Sequence, residues 1–169
     1  KSSCFTHVLG RNLIFLGLFF KFKKLPNHFL INVKEKTMNP RDLLLKELRG
    51  QAIGTITNQS SNEEAFQNQT LRPILKLQND LFVASFENYI TKNKKDFYGL
   101  STEKKLLLIE NSIQKDIKFR NALKGIVIGL FTLEEYQTYI QNSSNLNKRM
   151  MNMLIERLKS QIQLFEKVL

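Results

Sequence analysis

From Asp116 to Tyr139 the chain reads DIKFRNALKGIVIGLFTLEEYQTY, and this stretch leaves few folds open. Phe119, Ala122, Leu123, Ile126, Val127, Leu130 and Phe131 fall at i, i+3, i+4, i+7, i+8, i+11 and i+12, the spacing of one helical face. Thr132 and Glu135 then form a T-x-x-E pattern, in which each side chain satisfies a backbone N–H of the other at the start of a new helix. Phe131 before that cap and Tyr136 at the fourth helical position are spaced to close a hydrophobic staple. Two helices therefore meet at Phe131–Thr132, and the first is apolar enough to be central. Gly125 and Gly129 share a face of it and are expected to let a neighbouring helix of a soluble core approach closely.

The flanking sequence extends the same pattern. Asn39 is a good N-cap, Pro40 suits the first helical position, and Gly50 after Arg49 is a stop, which predicts a helix over 40–49 with Leu43, Leu44, Leu45 and Leu48 as its apolar face. Residues 51–59 read as loop. Ser61 and Glu64 mark a second capping box, and Pro73 then either kinks one long helix or starts another. Ile74, Leu77, Leu81 and Ala84 form one apolar line, and Leu75, Phe82, Phe86 and Tyr89 a second. Ser101 is the cap of the next helix, with Leu106, Ile109, Ile113 and Ile117 on its face. That helix either runs on or breaks near Gln114–Asp116. After the turn cluster Asn142-Ser143-Ser144-Asn145, the last helix carries Met151, Ile155, Leu158, Ile162, Phe165 and Leu169 at steps of four and three. This seam is read first as a core face and second as a docking or dimer face.

The chain has 169 residues, of which only 7 are Gly and 3 are Pro, a mix that favours helices with short connections over a turn-rich β fold. The fold expected is all-α: a single-domain helical bundle of five or six helices over 38–169. Residues 1–37 differ from it. They hold six of the thirteen Phe, both His (His7 and His28) and the lone Cys4. The apolar run Leu13–Phe20 is shorter than the roughly 20 residues of a membrane span, and no small-residue cleavage site follows it. The first Met is Met38. Residues 1–37 are read as an N-terminal extension outside the domain, with a membrane-surface anchor as the rival reading.

The net charge of +11 divides unevenly, with seven basic residues and one acidic in 1–37, and nineteen basic and fourteen acidic in 38–169. Charges in the second part are interspersed. Lys115, Lys118, Arg120 and Lys124 form one basic run around Asp116, and Lys148, Arg149, Arg157 and Lys159 form another. Both are read as solvated faces, and nucleic acid is not the partner this pattern favours. Residues 38–169 contain no His, Cys or Trp, which removes His/Cys zinc sites, Cys–His and Ser–His nucleophile pairs and imidazole acid–base chemistry. Glu63, Glu64, Glu134 and Glu135 are placed at helix starts. No catalytic, cofactor-binding or metal-binding residue is assigned, and no cofactor is expected. The candidate site is an interaction face of Met151, Ile155, Leu158, Ile162 and Phe165, for a protein partner or for self-association through the C-terminal helix. The single cysteine suits a reducing, cytoplasmic setting.

The segments NPRDLLLKELRG, EEAFQNQTLRPILKLQNDLF, IQKDIKFRNALKGIVIGLFTLEEY and NSSNLNKRMMNMLIERL span about 39–165. In them the chain resembles a family of small helical bacterial proteins that often bear the name glyoxalase. The resemblance implies a helical domain beginning near Met38. The name implies a lyase or hydrolase acting on a methylglyoxal–thiol adduct. The metal ligands of known glyoxalases include His, and none follows His28 here, so no site residue is carried over. The leading expectation is a helical interaction or regulatory module without catalysis of its own.

Overall fold

The computed structural model describes residues 39–57, 59–93 and 96–165. These residues belong to one unit, Thr37–Leu169, and are all-α, with no strand among them. The expectations placed on residues 1–37 and on Leu169 lie outside the described residues. Helix α1 is Pro40–Arg49; α2 is Asn62–Phe66, continued through a π-helical turn, Gln67–Leu71, into α3, Arg72–Leu77. Then come α4 (Asn79–Lys92), α5 (Thr102–Lys115), α6 (Ile117–Ile128), α7 (Leu133–Gln141) and α8 (Ser143–Ser160), which ends in a short 3-10 turn, Ile162–Phe165. With 62–77 counted as one rod there are seven among the described residues, one more than the five or six expected: the chain runs through Pro73 and breaks at Gln78 instead, and it breaks at Asp116, where the sequence left a break open.

The first break is at Gln78, five residues after Pro73. Pro73 has no N–H to donate and its ring crowds the carbonyl one turn back. The helix absorbs this by widening: the Arg72 N–H bonds to the Gln67 carbonyl, five residues away. The second break is at Asp116, whose extended backbone ends α5 and whose Oδ1 accepts from the N–H groups of Lys118 (3.0 Å) and Phe119 (3.1 Å), capping α6. Breaking there turns Ile117 out to solvent. At Ser101 the hydroxyl points to Glu103 Oε2 (3.5 Å) and does not cap the α5 backbone.

The hub is α8, which packs against α5, α6, α7 and the π turn. Its Leu146, Met150, Leu154 and Leu158 are buried among Phe82, Phe86, Ile90, Ile109, Ile113, Leu123 and Val127. Each such side chain contributes about 1.5–3 kcal/mol relative to exposure. Phe86 sits in an aromatic cluster with Phe97 (ring centroids 5.5 Å), Phe119 (6.4 Å) and Phe165 (5.2 Å). Of the two apolar lines expected along 74–89, the second supplies Leu75, Phe82 and Phe86 to the core; on the first Ile74 is buried, whereas Leu77 and Leu81, on either side of the break at Gln78, face out. No helix among the described residues is long and apolar enough to cross a membrane.

A strap of residues 53–55 lies against the π turn. Ile53 N–H donates to the Asn68 carbonyl (2.9 Å), Asn68 Nδ2 to the Thr55 carbonyl (3.0 Å), and Arg72 Nη1 to the Ile53 carbonyl (3.4 Å). Gly54 at its centre has φ +109°, and a Cβ there would stand 2.6 Å from Arg72 Nη1. The positive φ favours glycine here, and a larger residue would also displace the tip of the Arg72 side chain.

Candidate functional site

The structure places four members of the expected interaction face inside the protein. Met151, Ile155, Leu158 and Phe165 are buried and Ile162 is half-buried. The seam closes the core, which leaves its docking use without a surface. Gly125 and Gly129 also depart from expectation. Among the described residues, a Cβ at Gly125 would meet nothing within 4 Å and one at Gly129 only carbonyls of its own helix, so no described helix packs on this pair.

The unpartnered apolar surface is elsewhere, on α1 and α7. Helix α1 is docked by its polar residues. Asp42 is 5% exposed and accepts from the Leu133 N–H at 3.0 Å. Arg41 Nη1 and Nη2 donate to the carbonyls of Phe131 (3.0 Å) and Gly129 (3.1 Å). Arg49, its side chain 3% exposed, donates to the Leu130 carbonyl (3.2 Å) and forks onto Glu135 at 2.8 and 2.9 Å. Two arginines thus satisfy carbonyls at the C-terminal end of α6, where the helix dipole is negative, and Asp42 meets the positive start of α7.

Glu135 joins these ties. The capping box is present: Thr132 N–H donates to Glu135 Oε2 (2.7 Å) and Glu135 N–H to Thr132 Oγ1 (3.2 Å). Thr70 Oγ1, from the π turn, donates to Glu135 Oε1 at 2.9 Å. Burial pushes the Glu135 pKa up. The hydrogen bond and charge of Arg49, the Thr132 N–H and the Thr70 hydroxyl outweigh it and hold the carboxyl below its ordinary value. The staple forms with a different partner: Phe131 packs edge-on against Tyr139 (5.6 Å) and Phe66 (5.5 Å), and Tyr136 is exposed.

With its polar face inward, α1 turns its leucines outward. Leu43, Leu44 and Leu48 are 53%, 65% and 60% exposed. Leu44 and Leu48 are one turn apart, on the side of the helix opposite Asp42 and Arg49. Helix α7 does the same: Tyr139 is buried beneath it, while Leu133, Tyr136 and Ile140 form an exposed stripe at steps of three and four. The two helices that carry these stripes are tied to each other through Asp42–Leu133 and Arg49–Glu135. Arg41 and Lys46 are exposed cations on α1. Sequence reading took the α1 leucines for core, since no local pattern reveals that Asp42 and Arg49 have partners about ninety residues away.

Among the described residues no group of three or more His, Cys, Asp or Glu is arranged to hold a metal ion. No family model, curated protein or solved structure gives a significant match to this chain.

Proposed function

We propose that the chain is a cytoplasmic protein-interaction module whose docking surface is the outward face of α1 and α7. The observation that carries this reading is the inversion of α1, whose leucines are exposed while its Asp42 and Arg49 are buried. An isolated exposed leucine needs no explanation, but Leu43, Leu44 and Leu48 on one short helix, with Leu133, Tyr136 and Ile140 on the helix it is tied to, are six large apolar side chains left exposed, and such surface supports a role in association. Lone Cys4, suited to a reducing compartment, supports the cytoplasmic setting.

The occupant that fits is an amphipathic helix of another protein with acidic flanks, laid across the leucine stripe in helix-in-groove fashion. Lys46, exposed on α1, matches an acidic flank. The net charge of +11 opposes approach of a second copy and attracts an acidic partner. No side-chain arrangement in the described residues favours the lyase or hydrolase reaction implied by the family resemblance.

The test is a benzophenone-bearing side chain in place of Leu48 in the full chain, irradiated in source cells, with the same group in place of exposed Leu107 on α5 as control. The expected result is one cross-linked peptide that is acidic with apolar residues at helical spacing. A synthetic copy of it should bind the wild-type chain and not Leu44→Glu. Cross-links to a second copy of this chain, or a pattern no different from the Leu107 control, would overturn the reading.

A further inference from the structure

The two basic runs of the sequence are sorted by folding. On α8, Arg149 donates to Gln67 Oε1 (2.9 Å), Arg157 to Asn79 Oδ1 (3.2 Å), and Lys159 pairs with Glu110 (2.7 Å). Arg120 and Lys124 of α6 and Lys148 of α8 come together instead, in a cleft of about 380 Å³. Met151 and Ile155 line the cleft with apolar surface, and the rest of its wall is neutral, with no carboxylate.

Three features make this more than a solvated basic face. The ion pairs of the described residues include none of the three cations. Arg120 is oriented by its bond from Nη1 to the Gln114 carbonyl (3.0 Å). Asn147, also on the wall, has its Oδ1 taken by the Tyr139 hydroxyl at 2.9 Å, which leaves its amide N–H groups as donors. Three cations on one cleft wall that carries no carboxylate give that wall a positive field, which favours a bound anion.

We propose that this cleft binds a small phosphate-bearing organic molecule, with the phosphate against Arg120, Lys124 and Lys148 and the apolar body against Met151 and Ile155. Three cations suit a doubly charged phosphate, and Arg120 offers the planar fork that phosphate oxygens accept. The volume lies in the range of small-molecule sites. A nucleic acid would call for a longer basic stripe, and the charges flanking this cleft are mixed. The site shares no residue with the α1–α7 surface and stands or falls independently of it.

Calorimetric titration of the full chain with adenosine monophosphate, pyrophosphate and unphosphorylated adenosine tests the assignment. The nucleotide is expected to saturate one site at millimolar concentration or below, pyrophosphate to compete with it, and adenosine to bind at least about tenfold more weakly. Lys124→Glu with Lys148→Glu should weaken the nucleotide by about tenfold or more, while Lys124→Arg with Lys148→Arg retains it. Unchanged circular dichroism and melting temperature show that the variants fold. Absence of saturable binding by both phosphate probes, or affinity that survives the charge reversal, overturns the proposal. So does tight, steeply salt-dependent binding of an oligonucleotide that the mononucleotide cannot displace.

Discussion

Glu135 accepts four hydrogen bonds on its two carboxylate oxygens, from two nitrogens of Arg49, from Thr70 and from the Thr132 N–H. Its loss removes more than a helix cap, because Arg49 would be left nearly buried with only the Leu130 carbonyl as partner. Glu135→Ala is expected to destabilise the protein by about 3–5 kcal/mol in chemical denaturation. The pH dependence follows from the lowered pKa. The folded state binds fewer protons at this group than the unfolded state, so its stabilisation is full above the ordinary carboxylate range. It is lost as pH falls through that range to the folded value. The gap in stability between wild type and Glu135→Gln should therefore narrow as the pH drops below the ordinary carboxylate range, and a gap independent of pH would contradict the assignment. The capping role of Glu135 was legible in the sequence, because a box spans only four residues. Its bonds to Arg49 and Thr70 were not, since they join residues 65 to 86 positions apart.

At the scale of the element, α8 takes the first of its two expected roles, a core face, and α1 departs from its own. Both carry apolar residues at helical spacing. The α8 seam is core because α5, α6, α7 and the π turn surround it. The α1 leucines face out because their helix is held by salt bridges and carbonyl bonds on its other side. Periodicity identifies a face but not which way the face points, and here burial of charged residues decides it. The double variant Leu44→Glu, Leu48→Glu should change stability by no more than about 0.5 kcal/mol. Leu158→Ala should cost about 2–5 kcal/mol, and Leu158→Asp should unfold the protein, with thermal melts separating the three. A large loss in the first variant would mean that the leucines pack against something, and would remove the ground for a docking face.

For the molecule as a whole, the all-α class and four of the helix starts, at Asn39, Ser61, Ser101 and Thr132, were readable, because starts are written locally, whereas the break at Asp116 was left open. The hub was not. The Asp116–Tyr139 stretch, the most apolar to the eye, packs beside α8 and does not organise the core. Which helix is central depends on how many neighbours tertiary packing brings to it. The anion cleft was half legible: its basic residues were visible, but which three of the eight converge was settled only by the placement of α6 against α8.

The π turn bears on chain length. Phe66 and Ile74 are both buried although eight residues apart, an interval that in an ordinary α-helix overshoots two turns by about 80°. One extra residue in the wide turn makes the interval act like seven, close to two full turns. Gln69, exposed within that turn, is in effect a spare residue. Deleting it alone would set the Pro73 ring against a carbonyl of a straight α-helix. Deleting it together with Pro73→Ala should leave a fold that melts above the single deletion, with the phase of everything upstream preserved. By this route a shorter relative would keep the same core, whereas removing one residue from the middle of α5 should re-phase Ile109 against Ile113 and unfold the domain.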